Sequence, residues 1–446
     1  MRGPFVETGT GAAAVWRAQG PALVRGTLHP AGDKSIAHRL WILAALAHGN
    51  STLRGVPDGD DVARTRAALA ALGVRIRAAG ENAWRVEGVG LQGLRAARTA
   101  IDCGNSGTTM RLLAGLLAVQ RFETILTGDA SLRRRPMQRV ATPLRAMGAR
   151  ITCKGRDGRP PLAVGGGGAP ARGHTHLLRV DSAQVRAAIL LAGLTANGTT
   201  HVEPRTASRD HLQRLLRALG LHVSDGLRGT TVHPSALGWV GFRARVPGDV
   251  SSAAFWIALA AVTPGSRLQV PRVGLNPGRI RFLRLLCVAG ARIEVRRAGI
   301  TLGEPWGTVR VHGRSLGALS LEGDDVVQCL DEIPALAAAA ACAGSAFQLR
   351  DARELRVKES DRIAGLATLL GAFGGSVRTR PDGFDLAART VLRPARVASK
   401  GDHRLAMAAA MLALRAPGPS RIEDVACVRT SYPAFARDAA RLARPV

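Results

Sequence analysis

Residues 32–56 read GDKSIAHRLWILAALAHGNSTLRGV. A small polar start leads into an Ala/Leu-rich run that is apolar nearly all round, then a Gly-Asn turn and a β-branched stretch. That order spells an N-cap, a buried helix and a strand. The same grammar returns as GNSGTTMRLLAGLLAVQRFETILTG (104–128), DSAQVRAAILLAGLTANGTTHVEP (181–204), GDVSSAAFWIALAAVTPGSRLQV (248–270), DEIPALAAAAACAGSAFQLRD (331–351) and GDHRLAMAAAMLALRAPGPSRIED (401–424). The starts fall roughly seventy residues apart, too long for a solenoid unit, so each repeat must hold several elements.

A second, more amphipathic helix follows in each repeat, and in five it ends in a glycine that launches a strand: ALGVRI, AMGARI, ALGLHV, VAGARI and AFGGSV. Gly73, Gly148, Gly220, Gly290 and Gly374 or Gly375 are placed as C-caps. The predicted fold is α/β, made of α+β repeats. Two similar domains each hold three β-α-β-α-β-β repeats, with buried parallel helices and outer sheets, an inverse α/β barrel. ALVRGTLH (22–29) reads as a strand and the glycine run 165–168 as a loop. The expected domains are 31–245, with repeats one to three, and 21–30 plus 246–446, with repeats four to six; residues 1–20 are expected to be a flexible tail.

Parallel buried helices bring their N-termini to one end of each domain, with roughly half a positive charge and unpaired N–H groups apiece. Two such ends facing each other would form a cleft for anions.

The chain has 446 residues, enough for two or three domains, and 46% of them are hydrophobic. Its 62 Lys and Arg against 33 Asp and Glu leave a net charge of +29. The excess is nearly all Arg and is scattered, with no basic tract interleaved with aromatics, so neither nucleic acid nor a membrane is expected as partner. The six cysteines lie far apart, without C-x-x-C or metal-ligand spacing, and read as reduced thiols. No signal-like or membrane-length apolar run occurs, so the expected address is the cytoplasm.

The chemistry concentrates at the repeat starts. Lys34, Ser35 and Arg39 open repeat one, and a lysine at the positive end of a helix dipole argues for a bound anion. Asn105, Ser106, Gly107 and Thr108 form a turn able to cradle an oxyanion through backbone N–H groups. Arg133, Arg134 and Arg135 precede a proline, and one of them facing inward could clamp an anion. Ser182, Gln184 and Arg209 suit a phosphate monoester. Repeat four lacks a cation and reads as structural, with Asp249 as cap. Repeat five opens on Asp331 and Glu332, which read as caps or, among so many cations, as a base for a hydroxyl proton. Lys358, Glu359 and Arg362 follow, and Asp402, His403 and Arg404 open repeat six.

AGDKSIAHR, GNSGTTMR, RPM, SAQV, DEIPAL, ELRVKESDR and GDHRLAM stand in this order within a stretch that runs from about residue 22 to the C-terminus. Through them the sequence resembles the enolpyruvyl transferase family, in its branch acting on shikimate 3-phosphate. The resemblance implies enolpyruvyl transfer from phosphoenolpyruvate to the 5-hydroxyl of that substrate in a monomer without metal or organic cofactor, whose two domains close on substrate. It assigns Lys34, Ser35, Arg39, Ser182, Ala183, Gln184, Arg209, Asp331 and Lys358 to shikimate 3-phosphate. It assigns Lys34, Gly107, Arg135, Gln184, Arg362 and Arg404 to phosphoenolpyruvate. Asp331 becomes the base, Glu359 the proton relay to the methylene carbon, and Lys34 a further catalytic group. Thr430, in CVRTSYP, stands where many relatives have a lysine, and Glu354 where some have asparagine, as in a bacterial subgroup. Gly107 stands where glyphosate-tolerant relatives in that subgroup can carry alanine, which predicts ordinary glyphosate sensitivity.

Two rivals remain. A UDP-N-acetylglucosamine enolpyruvyl transferase shares the fold but uses a loop cysteine as its acid, and SLRRRPM (131–137) has none. A non-catalytic polyanion-binding protein would live on the charge alone.

Overall fold

The computed structural model describes residues 3–167, 171–179, 181–206, 209–226 and 228–446. Six inner helices stand where the repeats place them: Lys34–Leu46, Gly107–Leu117, Ala183–Gly193, Val250–Val262, Ile333–Ala343 and His403–Arg415. Every residue of Val250–Val262 is buried, as an all-round apolar sequence requires. Each repeat also has its outer helix, and Gly73, Gly148, Gly220, Gly290 and Gly374 end five of these at φ between +83° and +106°. Gly374 rather than Gly375 therefore takes the left-handed position in repeat five.

The described strands form six sheets on one template: a parallel pair, then an antiparallel hairpin. In repeat five Leu319–Leu321 runs parallel to Phe347–Leu349, which pairs antiparallel with Gly383–Leu386 and through it with Val377–Arg380. The parallel partner in repeat one is Arg243–Arg245, from the end of repeat three. Repeat four receives Ala22–Thr27.

Contacts divide the chain into two bodies. The first is Ala31–Pro247 with Ile300–Glu304, and the second is Met1–Pro30, Gly248–Gly299 and Pro305–Val446. Compared with the expected boundaries, the first body runs two residues further and gains the segment 300–304, where Glu304 Oε1 lies 2.8 Å from His211 Nδ1. Each body has its own core, built on three inner helices. In the first, an added Cβ on Gly115 would meet the Ala188 carbonyl at 2.2 Å, so glycine alone permits that helix approach.

Among the described residues, 5–8 and 15–20 are not the flexible tail expected over 1–20. Phe5–Thr8 and Val15–Gly20 form a hairpin, and Val15–Gly20 pairs antiparallel with Gly418–Glu423. Repeat six has no hairpin of its own after its outer helix Phe435–Leu442, so the chain start supplies one. Trp16, 2% exposed, stacks on Phe435 at 4.8 Å between centroids, and Trp256 stacks on the same ring at 5.0 Å. The glycine run also differs from a pure loop: Gly165 closes the strand Leu162–Gly165. Gly168 lies outside the described residues. Among the described residues no helix is long and apolar enough to cross a membrane.

Candidate active site

In the first body three inner-helix starts are tied together. Arg39 NH2 donates to Gln184 Oε1 at 3.1 Å, and Gln184 Nε2 donates to Thr108 Oγ1 at 3.2 Å. Three helix N-termini thus point to one region, which favours an anion there. Asp33 caps the first helix by accepting from the Ile36 N–H. Lys34, the first helical residue, meets Asp61 at 2.9 Å. That carboxylate offsets the dipole penalty on the lysine and fixes its direction. Asp61 opens the outer helix of repeat one, and the sequence reading missed it; the acidic pair in DGDDVAR was the available signal.

Beneath Lys34 lies a buried chain of hydroxyls. His38 Nδ1 lies 2.7 Å from Thr65 Oγ1, Thr65 Oγ1 lies 2.7 Å from Thr109 Oγ1, and Thr109 Oγ1 donates to Ser106 Oγ at 2.8 Å. Burial drives the His38 pKa down to about 3, so its ring is neutral. Burial likewise lowers Arg39 to about 10; Asp33 opposes this and neighbouring Arg209 adds to it. At that value Arg39 keeps its charge at neutral pH.

Of the three consecutive arginines, Arg133 and Arg134 are exposed and Arg135 is buried. Arg135 NH2 donates to Asn105 Oδ1 at 2.6 Å, which brings it to Gly107. Proline at 136 forces Arg135 out of the preceding turn into extended backbone (φ −77°, ψ 140°), a local signal that could have singled it out. Ser182 caps the helix Ala183–Gly193 through the Val185 N–H. Arg186, buried and not among the residues expected in the site, donates to the Arg209 carbonyl at 2.5 Å and so holds that segment against the helix.

In the second body the starts of repeats four to six meet in the same way. Ser251 Oγ bonds Glu332 Oε1, and Arg404 NH1 donates to the Asp331 carbonyl. The Asp331 carboxylate, 21% exposed, lies 3.8 Å from Arg362 NH1 and 3.7 Å from Arg404 Nε. Glu359 Oε2 accepts from Arg362 NH2 at 2.6 Å. One guanidinium therefore faces both acids. Arg362, 1% exposed, is fixed from behind by Asp402 at 2.8 and 3.2 Å. Burial opposes its charge, but Asp402, Glu359 and Asp331 outweigh burial and raise its pKa. Burial would raise the Asp402 carboxyl too, and Arg362 holds it below the usual carboxylate range. Asp402 also caps His403–Arg415 through the Arg404 N–H, so it is an anchor rather than a proton carrier.

Lys358 sits 3.7 Å from Glu354, and burial lowers its pKa against the pull of Glu354, Asp331 and Glu359. Asp249 caps Val250–Val262 through the Ser251 and Ser252 N–H groups, as its position in repeat four implied. Among the described residues no group of three or more His, Cys, Asp or Glu could hold a metal ion.

The chain thus carries six such repeats, with cations at several of the inner-helix starts and two carboxylates on one arginine. The solved enolpyruvyl transferase NikO from Streptomyces tendae shares the fold at TM-score 0.76 and 16% identity, with 97% of this chain and 98% of that chain covered. The EPSP synthase of Acinetobacter baumannii superposes at TM-score 0.84 with 38% identity, over 96% of this chain and 97% of that one. The chain belongs to the EPSP synthase (3-phosphoshikimate 1-carboxyvinyltransferase) family, whose model matches residues 18–438. The 3-phosphoshikimate 1-carboxyvinyltransferase of Gloeobacter violaceus is 46% identical over 419 residues, 94% of this chain and 96% of its own. That of Halorhodospira halophila is 46% identical over 420 residues, 94% of each chain.

Proposed function

We propose that the chain transfers the enolpyruvyl group of phosphoenolpyruvate to the 5-hydroxyl of shikimate 3-phosphate. The products are 5-enolpyruvylshikimate 3-phosphate and phosphate, on the shikimate route to chorismate and the aromatic amino acids. The observation that carries the mechanism is the pair Asp331 and Glu359, both on Arg362.

Asp331 takes the 5-hydroxyl proton as the oxygen attacks C2 of phosphoenolpyruvate, and Glu359 delivers a proton to the methylene carbon. The C2–O bond to phosphate then breaks, and Glu359 removes a proton from the new methyl group, restoring the double bond. Lys34, Arg135, Arg362 and Arg404, with the Gly107 N–H and Gln184, hold the carboxylate and phosphate of phosphoenolpyruvate and stabilise the charge that develops there. Lys34, Ser35, Arg39, Ser182, Ala183, Gln184, Arg209 and Lys358 hold shikimate 3-phosphate, Arg209 lying by its phosphate.

The enzyme works as a cytoplasmic monomer on these two small molecules. No disulfide joins the six cysteines among the described residues, which suits a reducing compartment. Acceptor choice tests the function: phosphate release from phosphoenolpyruvate is expected with shikimate 3-phosphate and not with UDP-N-acetylglucosamine. Release with the nucleotide sugar alone would overturn the assignment.

A further inference from the structure

Glu332 occupies the N-cap position of Ile333–Ala343, yet its side chain makes no capping bond. Its carboxylate turns inward and is 0% exposed. Burying a carboxylate costs several kcal/mol unless partners compensate, and a small polar residue would cap better. A cap therefore does not explain this glutamate.

Ser251, in the first turn of the repeat-four helix, donates a hydrogen bond to Glu332. Ser251 Oγ also receives a hydrogen bond from Arg279 NH2, which reaches Asp249 Oδ1 at 3.3 Å. A serine hydroxyl has one proton. Having accepted from Arg279, Ser251 gives its own proton to Glu332 Oε1. The four side chains are nearly or wholly buried and link the loop before Arg281–Val288, the repeat-four helix and the repeat-five helix.

Glu332 is covalently next to Asp331, so pinning its side chain fixes the backbone from which Asp331 projects. The Asp331 carboxylate projects from that backbone to within 3.7 Å of Arg404 Nε and 3.8 Å of Arg362 NH1. We propose that Glu332 is a positioning residue for Asp331, held through Ser251 by repeat four. This rests on Asp331 being the base. Repeat four, which brings no cation to the site, then contributes to catalysis by aiming the base supplied by repeat five.

The test uses the full chain and initial rates of phosphate release with both substrates. Glu332→Ala is expected to lower kcat by about 10- to 100-fold, the scale of a misplacement near 1 Å, while both KM values move less than about threefold. Glu332→Gln, whose amide oxygen can accept the Ser251 proton, is expected to recover most of the rate. On an Asp331→Asn background, Glu332→Ala is expected to cost nothing further. If Glu332→Ala fails to fold, Ser251→Ala removes one oxygen and carries the same expectation. Wild-type kcat in both Glu332→Ala and Ser251→Ala, no rescue by Gln, or an undiminished further loss on the Asp331→Asn background would each overturn the proposal. An indifferent Asp331→Asn would instead remove the base assignment itself.

Discussion

Replacing Arg362 by alanine removes a guanidinium that makes two contacts to Asp402, at 2.8 and 3.2 Å, and one to Glu359 at 2.6 Å. Asp402 is 0% exposed, and the Ser360 hydroxyl and the Arg404 N–H, both at 2.9 Å, would be left to compensate its charge. Breaking a buried pair from one side costs about 3–5 kcal/mol. A body of this size loses about 2–4 °C per kcal/mol, so its transition is expected to fall by roughly 6–20 °C. The deficit should also depend on pH in a fixed direction. In the wild type Arg362 depresses the Asp402 pKa, so the pair stabilises above the unfolded carboxylate value and is lost as pH falls through the folded one. In the variant burial acts on Asp402 without that partner and its carboxyl protonates at higher pH, so the gap to wild type narrows towards pH 4. Asp402→Asn on the alanine background should recover part of the loss, since the uncompensated buried charge of Asp402 is removed. The assay is thermal melting of the four proteins of this cycle between pH 4 and 8. A deficit under about 1 kcal/mol, or one that ignores pH, would refute the reasoning.

Three further outcomes are expected. His38 is neutral in the fold, with a pKa of about 3 against 6.5 unfolded, so the unfolded state binds more protons and stability falls as pH drops below about 6.5; His38→Gln should flatten that part of the melting profile. Trp16→Ala should destabilise by about 3–5 kcal/mol in chemical denaturation, because the ring is buried against Phe435, whereas a loose tail would give no change. An added Cβ at Gly107 would lie 2.8 Å from Arg111 NH1 and 3.0 Å from Arg135 NH1, flexible ends that can yield. Gly107→Ala should therefore melt near wild type while raising the KM for phosphoenolpyruvate and weakening glyphosate inhibition; a wild type unaffected by millimolar glyphosate would contradict the expected sensitivity.

The repeats were legible because burial of a helix on all sides leaves a sequence mark that needs no partner to be recognised. The six inner helices begin within a few residues of the polar starts, and the left-handed glycines after five outer helices follow from local backbone sterics. The cations at the starts were legible for the same reason: Lys34 is ill-placed for helix stability, so its presence asks for a partner. What closes the structure was not. Asp61 reaches Lys34 from another helix, Arg186 reaches the Arg209 carbonyl across the repeat, and Glu332 turns away from the cap its position suggests. Each is a pairing between elements, and nothing in the local pattern ranks one partner above another. The amino-terminal hairpin could have been inferred indirectly, since repeat six lacks the hairpin that the other five carry.

Phosphate release from phosphoenolpyruvate and shikimate 3-phosphate, followed in wild type and Asp331→Asn under saturating substrates, tests whether one carboxylate turns this anion-binding architecture into a catalyst. Rapid release by the wild type with a fall of at least about 100-fold in kcat for the variant is the expected result, in keeping with the scale of a lost general base. Equal rates for the two proteins would contradict it.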